Sequence, residues 1–332
     1  MRERLLHVPR PRAPTGPCRA RQGAGADRQR REGTRRRRRR LQEGLPRLMA
    51  SQREIRRRIG AVKNIRQITR AMQFVAASKL KRAQESTLAA RPYGHSIDEV
   101  IADLASVLGE EGHALLRKPS EGGAKLIVLF TTDRGLAGAL NSNLIRFAMK
   151  ELESAGPGTR IVTIGKKGRD ALARGGYEIA AAFPGYGDKP TFADVTPLVR
   201  LLTDDFLDGR AVSVTLIHPT FVSTLVQRPE GVQLLPIRPT ADTAGIPGNQ
   251  FLFEPDPVTV LEALLPRYVA TRIFQAVLET TACEQSSRMV AMKNATESAG
   301  DLISDLTLTY NKVRQANITR EMIEIASGAS AQ

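Results

Sequence analysis

Cysteine is nearly absent from this 332-residue chain: it has only Cys18 and Cys283. Two thiols cannot make a disulfide framework, which points to a reducing compartment or to indifference to redox. Cys283, among Thr281, Ala282 and Ser286, is expected to be a small buried or interfacial helix residue. Long apolar runs are missing too. The best, 126–130 (LIVLF), has five residues, far below the roughly 18 that a membrane span needs. The chain therefore reads as soluble, or as membrane-attached through partners alone. The four histidines, His7, His95, His113 and His218, lack ligand-like spacing, and no Gly-x-Ser-x-Gly elbow occurs. No catalytic residue, metal or cofactor is expected.

Phosphate loops are equally wanting. Gly165-Lys166-Lys167 fails the Gly-x-x-x-x-Gly-Lys-Ser/Thr pattern at its last position and lacks the earlier glycine. The turn Thr132-Asp133-Arg134-Gly135-Leu136-Ala137-Gly138 has a Gly-x-x-Gly spacing, short of a dinucleotide fingerprint. It is expected to be a structural strand-to-helix turn without a ligand.

What the chain does have is positive charge, unevenly placed. The formal net charge is +16, yet residues 1–48 hold 16 Arg, no Lys and four acids, leaving only +4 for 49–332. This leader, with its run from Arg35 to Arg40 and its prolines, has no apolar periodicity and cannot bury a core. A nucleic-acid arm would interleave aromatics or Lys, and a transit peptide would be Ser-rich. The favoured reading is upstream sequence translated from a start codon assigned too early, with the protein beginning at Met49.

Two long amphipathic helices are the dominant signal. One occupies 49–108, opening on a possible capping box of Ser51 and Glu54, with Ile55, Ile59, Val62, Ile65, Ile68, Met72 and Val75 as its apolar stripe. Pro92 is expected to kink it without ending it. The other runs through 258–327, with Pro266 and Gly300 as potential interruptions. Its seam, Met289, Met292, Thr296, Ala299, Ile303, Leu306, Tyr310 and Val313, alternates steps of three and four. Such a helix would be about 105 Å long, several times the width of a small domain.

Between them the period becomes strand-like. Strands are expected at 125–131, 160–164 and 211–218, with helices near 140–154 and 196–208, which implies an α/β body over 120–240 with a mostly parallel sheet. A peripheral hairpin turning through Arg228-Pro229-Glu230-Gly231 and a linker at 241–257 complete the layout. A nucleic-acid-binding coiled coil and a nucleotide-using α/β enzyme remain as alternatives, but both leave the long helices unexplained.

Three segments resemble the gamma subunit of the F-type ATP synthase. The first joins Glu54-Ile55-Arg56, Ile68-Thr69-Arg70-Ala71-Met72, Val75-Ala76-Ala77-Ser78-Lys79-Leu80 and Arg91-Pro92-Tyr93. The second is Asp133-Arg134-Gly135-Leu136-Ala137-Gly138 with Asn141. The third joins Ser286-Ser287-Arg288-Met289-Val290-Ala291-Met292, Tyr310-Asn311-Lys312-Val313-Arg314-Gln315-Ala316 and the specific end Ile318-Thr319-Arg320-Glu321-Met322-Ile323-Glu324-Ile325. The resemblance spans essentially 49–331.

That resemblance implies a long antiparallel coiled coil of the N- and C-terminal helices plus a Rossmann-like α/β domain. It implies a non-catalytic rotor shaft turning inside the alpha/beta hexamer, with its body meeting the epsilon subunit and the c-ring, and no nucleic-acid partner. Met72, Arg288, Gln315, Thr319, Glu321 and Glu324 match positions where shaft and hexamer touch. Each charge crossing the membrane potential supplies about 2.3 kcal/mol per 100 mV, so the shaft must carry many times RT. With no cysteine in the body, thiol control is not expected. The implied location is peripheral, on the cytoplasmic face of a bacterial inner membrane, with the mitochondrial matrix side as the less favoured alternative.

Overall fold

The computed structural model describes residues 52–108, 113, 115–116, 123–238 and 253–329. The leader, Ser51 of the expected capping box and most of the expected linker lie outside them. The chain divides into two compact units, 1–55 and 56–332. Of the first, residues 52–55 are described, and they form the opening turn of a helix.

That helix, α1 (Gln52–Leu108), runs on through Pro92. It is followed by β1 (Ala124–Phe130), α2 (Leu140–Ala155), β2 (Arg160–Ile164), α3 (Lys166–Arg174) and β3 (Ile179–Phe183). After a 3₁₀ turn (Phe192–Val195) come α4 (Thr196–Leu207), β4 (Ala211–Phe221), β5 (Gln227–Leu235) and α5 (Pro257–Ala329). The fold is mixed α/β with one five-stranded sheet in the order β3-β2-β1-β4-β5. The pairs among the first four strands are parallel; β5 is antiparallel to β4.

Strand β1 shows why a continuous apolar run forms a central strand: both its faces are buried. Leu126, Val128 and Phe130 point into a core with Leu198, Leu202 and Phe206 of α4. That same core takes in Ile97, Ile101 and Leu104 from α1 and Leu261, Leu265 and Ile273 from α5. Ile127 and Leu129 point the other way, onto Leu140, Leu144 and Ala148 of α2 and Leu172 of α3. The inner parts of both long helices are thus built into the body.

Two expectations are corrected. The hairpin does not turn at 228–231: the turn lies around Ser223 and Val226, whose backbones pair reciprocally, and Arg228–Gly231 pair with β4, Pro229 opposite Pro219. Proline is tolerated there because β5 is an edge strand. The α1 stripe is also redrawn. Ile65, Ile68 and Val75 are more than half exposed, while Val62, Thr69 and Ala76 are covered. Each step of three residues falls short of a full turn by about 60°, so 62→65→68 drifts off the face that 62, 69 and 76 hold.

Helix α5 continues through Pro266 and Gly300. Asp256 accepts hydrogen bonds from the backbone N–H groups of Val258 and Thr259 at 3.0 and 2.9 Å, capping its start. Up to Met292 it is buried on several sides; beyond, the covered positions narrow to a stripe. All eight expected seam residues from Met289 to Val313 are partly or wholly covered, whereas Lys293, Asn294, Glu297, Asp301 and Leu302 are exposed.

Candidate functional site

The polar centre of the molecule is where the loops at the carboxyl ends of β1 and β3 meet the two long helices. Its first component is the turn after β1. Asn141 accepts from the Thr132 N–H at 3.2 Å and returns its own amide to Thr132 Oγ1 at 2.9 Å, closing the turn on itself. Leu136 takes a left-handed φ of 63°, costly for a non-glycine residue, and its side chain is 62% exposed.

Asp133 ties three loops together. Its carboxylate accepts from the Lys166 N–H at 2.9 Å and from the Gly185 N–H at 3.1 Å. Thr131 Oγ1 accepts from the Gly168 N–H at 2.9 Å. The first N–H groups of α3, where a doubly wound sheet can hold a phosphate, are therefore engaged by the Asp133 and Thr131 side chains and, for Lys167, by the Thr132 carbonyl at 3.1 Å. The glycine turn itself leads into α2 at Leu140.

The second component is 284–288 of α5, where successive residues take hold of different partners. Gln285 donates to Asp188 Oδ1 at 3.1 Å, Ser286 to the Thr224 carbonyl at 2.8 Å, and Ser287 to the Ala137 carbonyl at 2.6 Å. Arg288 donates to Glu284 at 2.6 Å and to the Gly135 carbonyl at 3.3 Å. Burial pushes the Glu284 carboxyl above its ordinary value, and the Arg288 guanidinium only partly pulls it back. Asp188 also receives Lys79 Nζ of α1 at 2.6 Å. Burial works against its charge, but Lys79, with Arg134 and Arg288, outweighs that and holds the carboxyl below its usual value.

The expected site residues fall into two groups. Met72 and Arg288 line one groove of about 430 Å³, with Ile68, Val75, Leu136 and Gln285. Arg288 is only 8% exposed, so it is an internal strut and not a solvated flank. Gln315, Thr319, Glu321 and Glu324 are exposed on the far part of α5, about 40 Å or more along the helix from Arg288. Cys283 is buried, its Sγ 3.5 Å from the Pro219 carbonyl, and burial raises its thiol well above the ordinary range.

Sequence reasoning passed over Lys79, Asp188 and Gln285. Lys79 is one of several basic residues of α1, with Lys81 and Arg82 beside it, and Asp188 sits in a Gly- and Pro-containing loop. One signal was present: Glu284 to Arg288 is a run of five polar residues in a helix, and where such a run is buried each polar group needs a partner.

A family model described as ATP synthase matches residues 51–332. The ATP synthase gamma chain of Dehalococcoides mccartyi is 44% identical over 287 residues, covering 85% of this chain and 99% of that one. The gamma chain of Roseiflexus castenholzii is 46% identical over 289 residues, with the same coverage. Among solved structures, the central stalk and c-ring of the Tetrahymena thermophila mitochondrial ATP synthase aligns with a TM-score of 0.54 at 24% identity, over 69% of this chain and 99% of that one. A Euglena gracilis mitochondrial ATP synthase OSCP/F1/c-ring structure aligns with a TM-score of 0.58 at 18% identity, over 85% and 94%. The fold is shared with both, and at the level of sequence the chain belongs to the ATP synthase gamma-chain family.

Proposed function

We propose that this chain is the central rotor shaft of a proton-translocating F-type ATP synthase, itself catalysing nothing and passing torque between the c-ring and the alpha/beta hexamer. α1 and α5 pair antiparallel as a coiled coil, and the Rossmann-like body sits at its base, against epsilon and the c-ring. The complex lies on the cytoplasmic face of a bacterial inner membrane, and the chain is held there by its partners; among the described residues no helix is long and apolar enough to cross a membrane.

One observation carries this reading: the two helices touch in opposite order. Asp98 pairs with Arg272 at 2.7 Å, Gly94 lies against Gln275, and Thr69 lies 2.8 Å from Thr296. As the number falls along α1 it rises along α5, the geometry of an antiparallel pair. A second feature supports a sleeve around the far end. Ile318, Met322, Ile323 and Ile325 are between 48% and 73% exposed, an apolar surface that calls for a partner.

Gln315, Thr319, Glu321 and Glu324 then face the hexamer from the shaft tip, and Met72 faces it near the base. Arg288 acts through what it holds, the Gly135 carbonyl beside the exposed Leu136. The test is to purify the tagged chain from membranes and to compare wild type with Gln315→Ala and Arg288→Ala. Recovery with alpha, beta and epsilon, and a lower ratio of protons pumped to ATP hydrolysed in the variants, are expected. A chain recovered without those subunits, or pumping unchanged at equal incorporation, overturns the reading.

A further inference from the structure

A shaft made of two helices can lose torque in a way that a single rod cannot: one helix can slip along the other. The surfaces that meet near the body are poorly suited to prevent this. α1 presents Ala76, Leu80 and Ala83 there, and α5 presents Leu278, all buried. Apolar side chains bury area without direction, because the hydrophobic effect is non-directional. The inner end of α1 is packed into the body core and paired with α5 through Asp98 and Arg272, so it is in the stretch beyond, near Lys79, that resistance to sliding has to come from directional bonds.

The loop after β3 supplies them through one carboxylate. Asp188 Oδ2 meets Lys79 Nζ of α1 at 2.6 Å, and Asp188 Oδ1 meets Gln285 Nε2 of α5 at 3.1 Å. The loop is itself braced to the sheet. The Gly185 N–H donates to Asp133 at 3.1 Å, and Phe183, at the end of β3, accepts from the Gly165 N–H at 3.0 Å. A side chain at 185 would come within 2.9 Å of the Asp133 carboxylate, so glycine lets the loop approach it. An unbroken path of bonds runs from sheet to loop to a single side chain that grips both helices.

α5 has further holds on the body, through Ser286, Ser287 and Arg288. At this level α1 reaches the body loop through Lys79. We infer that Asp188 is a positioning residue that keys both shaft helices to the body beyond the core-packed end of α1, so that at the level of Lys79 rotation of the body is delivered to α1 and α5 together. The inference rests on the rotor reading above and adds to it a place where torque crosses from body to shaft.

The test uses the assembled complex, with the hexamer immobilised and a probe on the body. The angular fluctuation of the probe at rest reports torsional stiffness, which a residue needed only for folding would not alter once assembly and melting temperature are matched. Asp188→Ala is expected to widen the fluctuation about two-fold while leaving the hydrolysis rate and melting temperature close to wild type. The exchanged pair Lys79→Asp with Asp188→Lys is expected to recover most of the stiffness. High salt, which screens a partly exposed ion pair, should soften wild type but not Asp188→Ala.

An Asp188→Ala complex as stiff as wild type overturns the inference, as does an exchanged pair no stiffer than Asp188→Ala. If Asp188→Ala fails to assemble, Lys79→Met, which removes the charge and keeps the stem, decides in the same two directions. A wild-type complex whose body probe does not rotate during hydrolysis refutes the rotor reading itself, and is thereby distinguished from failure of the Asp188 junction.

Discussion

Thr296 of α5 donates its hydroxyl to Thr69 of α1 across 2.8 Å, and Thr69 in turn can donate to the Arg66 carbonyl at 3.1 Å. Both threonines stand at positions where a coiled-coil seam ordinarily places an apolar residue. Removing one partner leaves the other half-buried hydroxyl to fall back on its own helix, for Thr296 the Met292 carbonyl at 2.8 Å. Thr69→Val alone should therefore cost about 0.5–1.5 kcal/mol, and Thr69→Val with Thr296→Val less than twice that or nothing. Urea denaturation of the four chains of this cycle measures it, and a strictly additive result would show that the two hydroxyls do not interact.

Asp205 takes two guanidinium groups, Arg160 at 2.8 Å and Arg210 at 2.7 Å, with its side chain 6% exposed. Arg160 opens β2 and Arg210 directly precedes β4, so one carboxylate pins two strand starts. Both arginines retain access to water, which limits the penalty for stranding them. Asp205→Asn should destabilise by about 1–3 kcal/mol, less than the roughly 3–5 expected when a fully buried pair is broken. A shift in the denaturation midpoint with an unchanged slope is the expected signature.

Glu284 gives a pH dependence with a definite sign. Its folded carboxyl value lies above the ordinary 4.5 because of burial, with Arg288 opposing. The folded chain thus binds this proton more tightly than the unfolded chain does, and stability falls as pH rises through the folded value. Glu284→Gln, which can still accept from Arg288, should flatten that fall by up to about 1.4 kcal/mol per pH unit. Part of the slope will persist, since burial also raises Glu279 and Asp98. A variant slope equal to wild type in the range just above 4.5 would exclude Glu284 as its source.

Gly165 separates backbone strain from steric collision. Its φ is +85°, and an added Cβ would lie 2.2 Å from the Thr131 carbonyl oxygen. Gly176 has a φ of +79° but open space around it. Gly176→Ala should cost about 1–2 kcal/mol from the left-handed backbone alone. Gly165→Ala should exceed about 4 kcal/mol, since no flexible side-chain end is available to yield. Comparable losses in the two variants would mean that the β2–α3 turn adjusts.

Much of this architecture is written in local pattern. The β-branched runs that become β1, β2 and β4, and the three-four alternation from Met289, need only period and propensity to be seen. β3 escaped because its Ala-rich sequence, 179–183, carries little strand signal, and the hairpin turn was misplaced because Pro229 and Gly231 look like turn residues yet sit in an edge strand. The outward drift of Ile65 and Ile68 was hidden for another reason: which face of an apolar helix is covered depends on where the partner lies. The polar junction was least legible. Lys79, Asp188 and Gln285 are 97 to 206 positions apart in pairs, and nothing local predicts that their side chains converge.

The carboxylate of Asp133, lodged against the start of α3, has a consequence for a protein that works beside nucleotide-processing subunits. In sheets of this kind a helix N-terminus can hold a phosphate; here the first N–H of α3 is bonded to Asp133, which also holds the Gly185 N–H after β3. A displacement of any one of the loops after β1, β2 and β3 is handed through Asp133 to the other two.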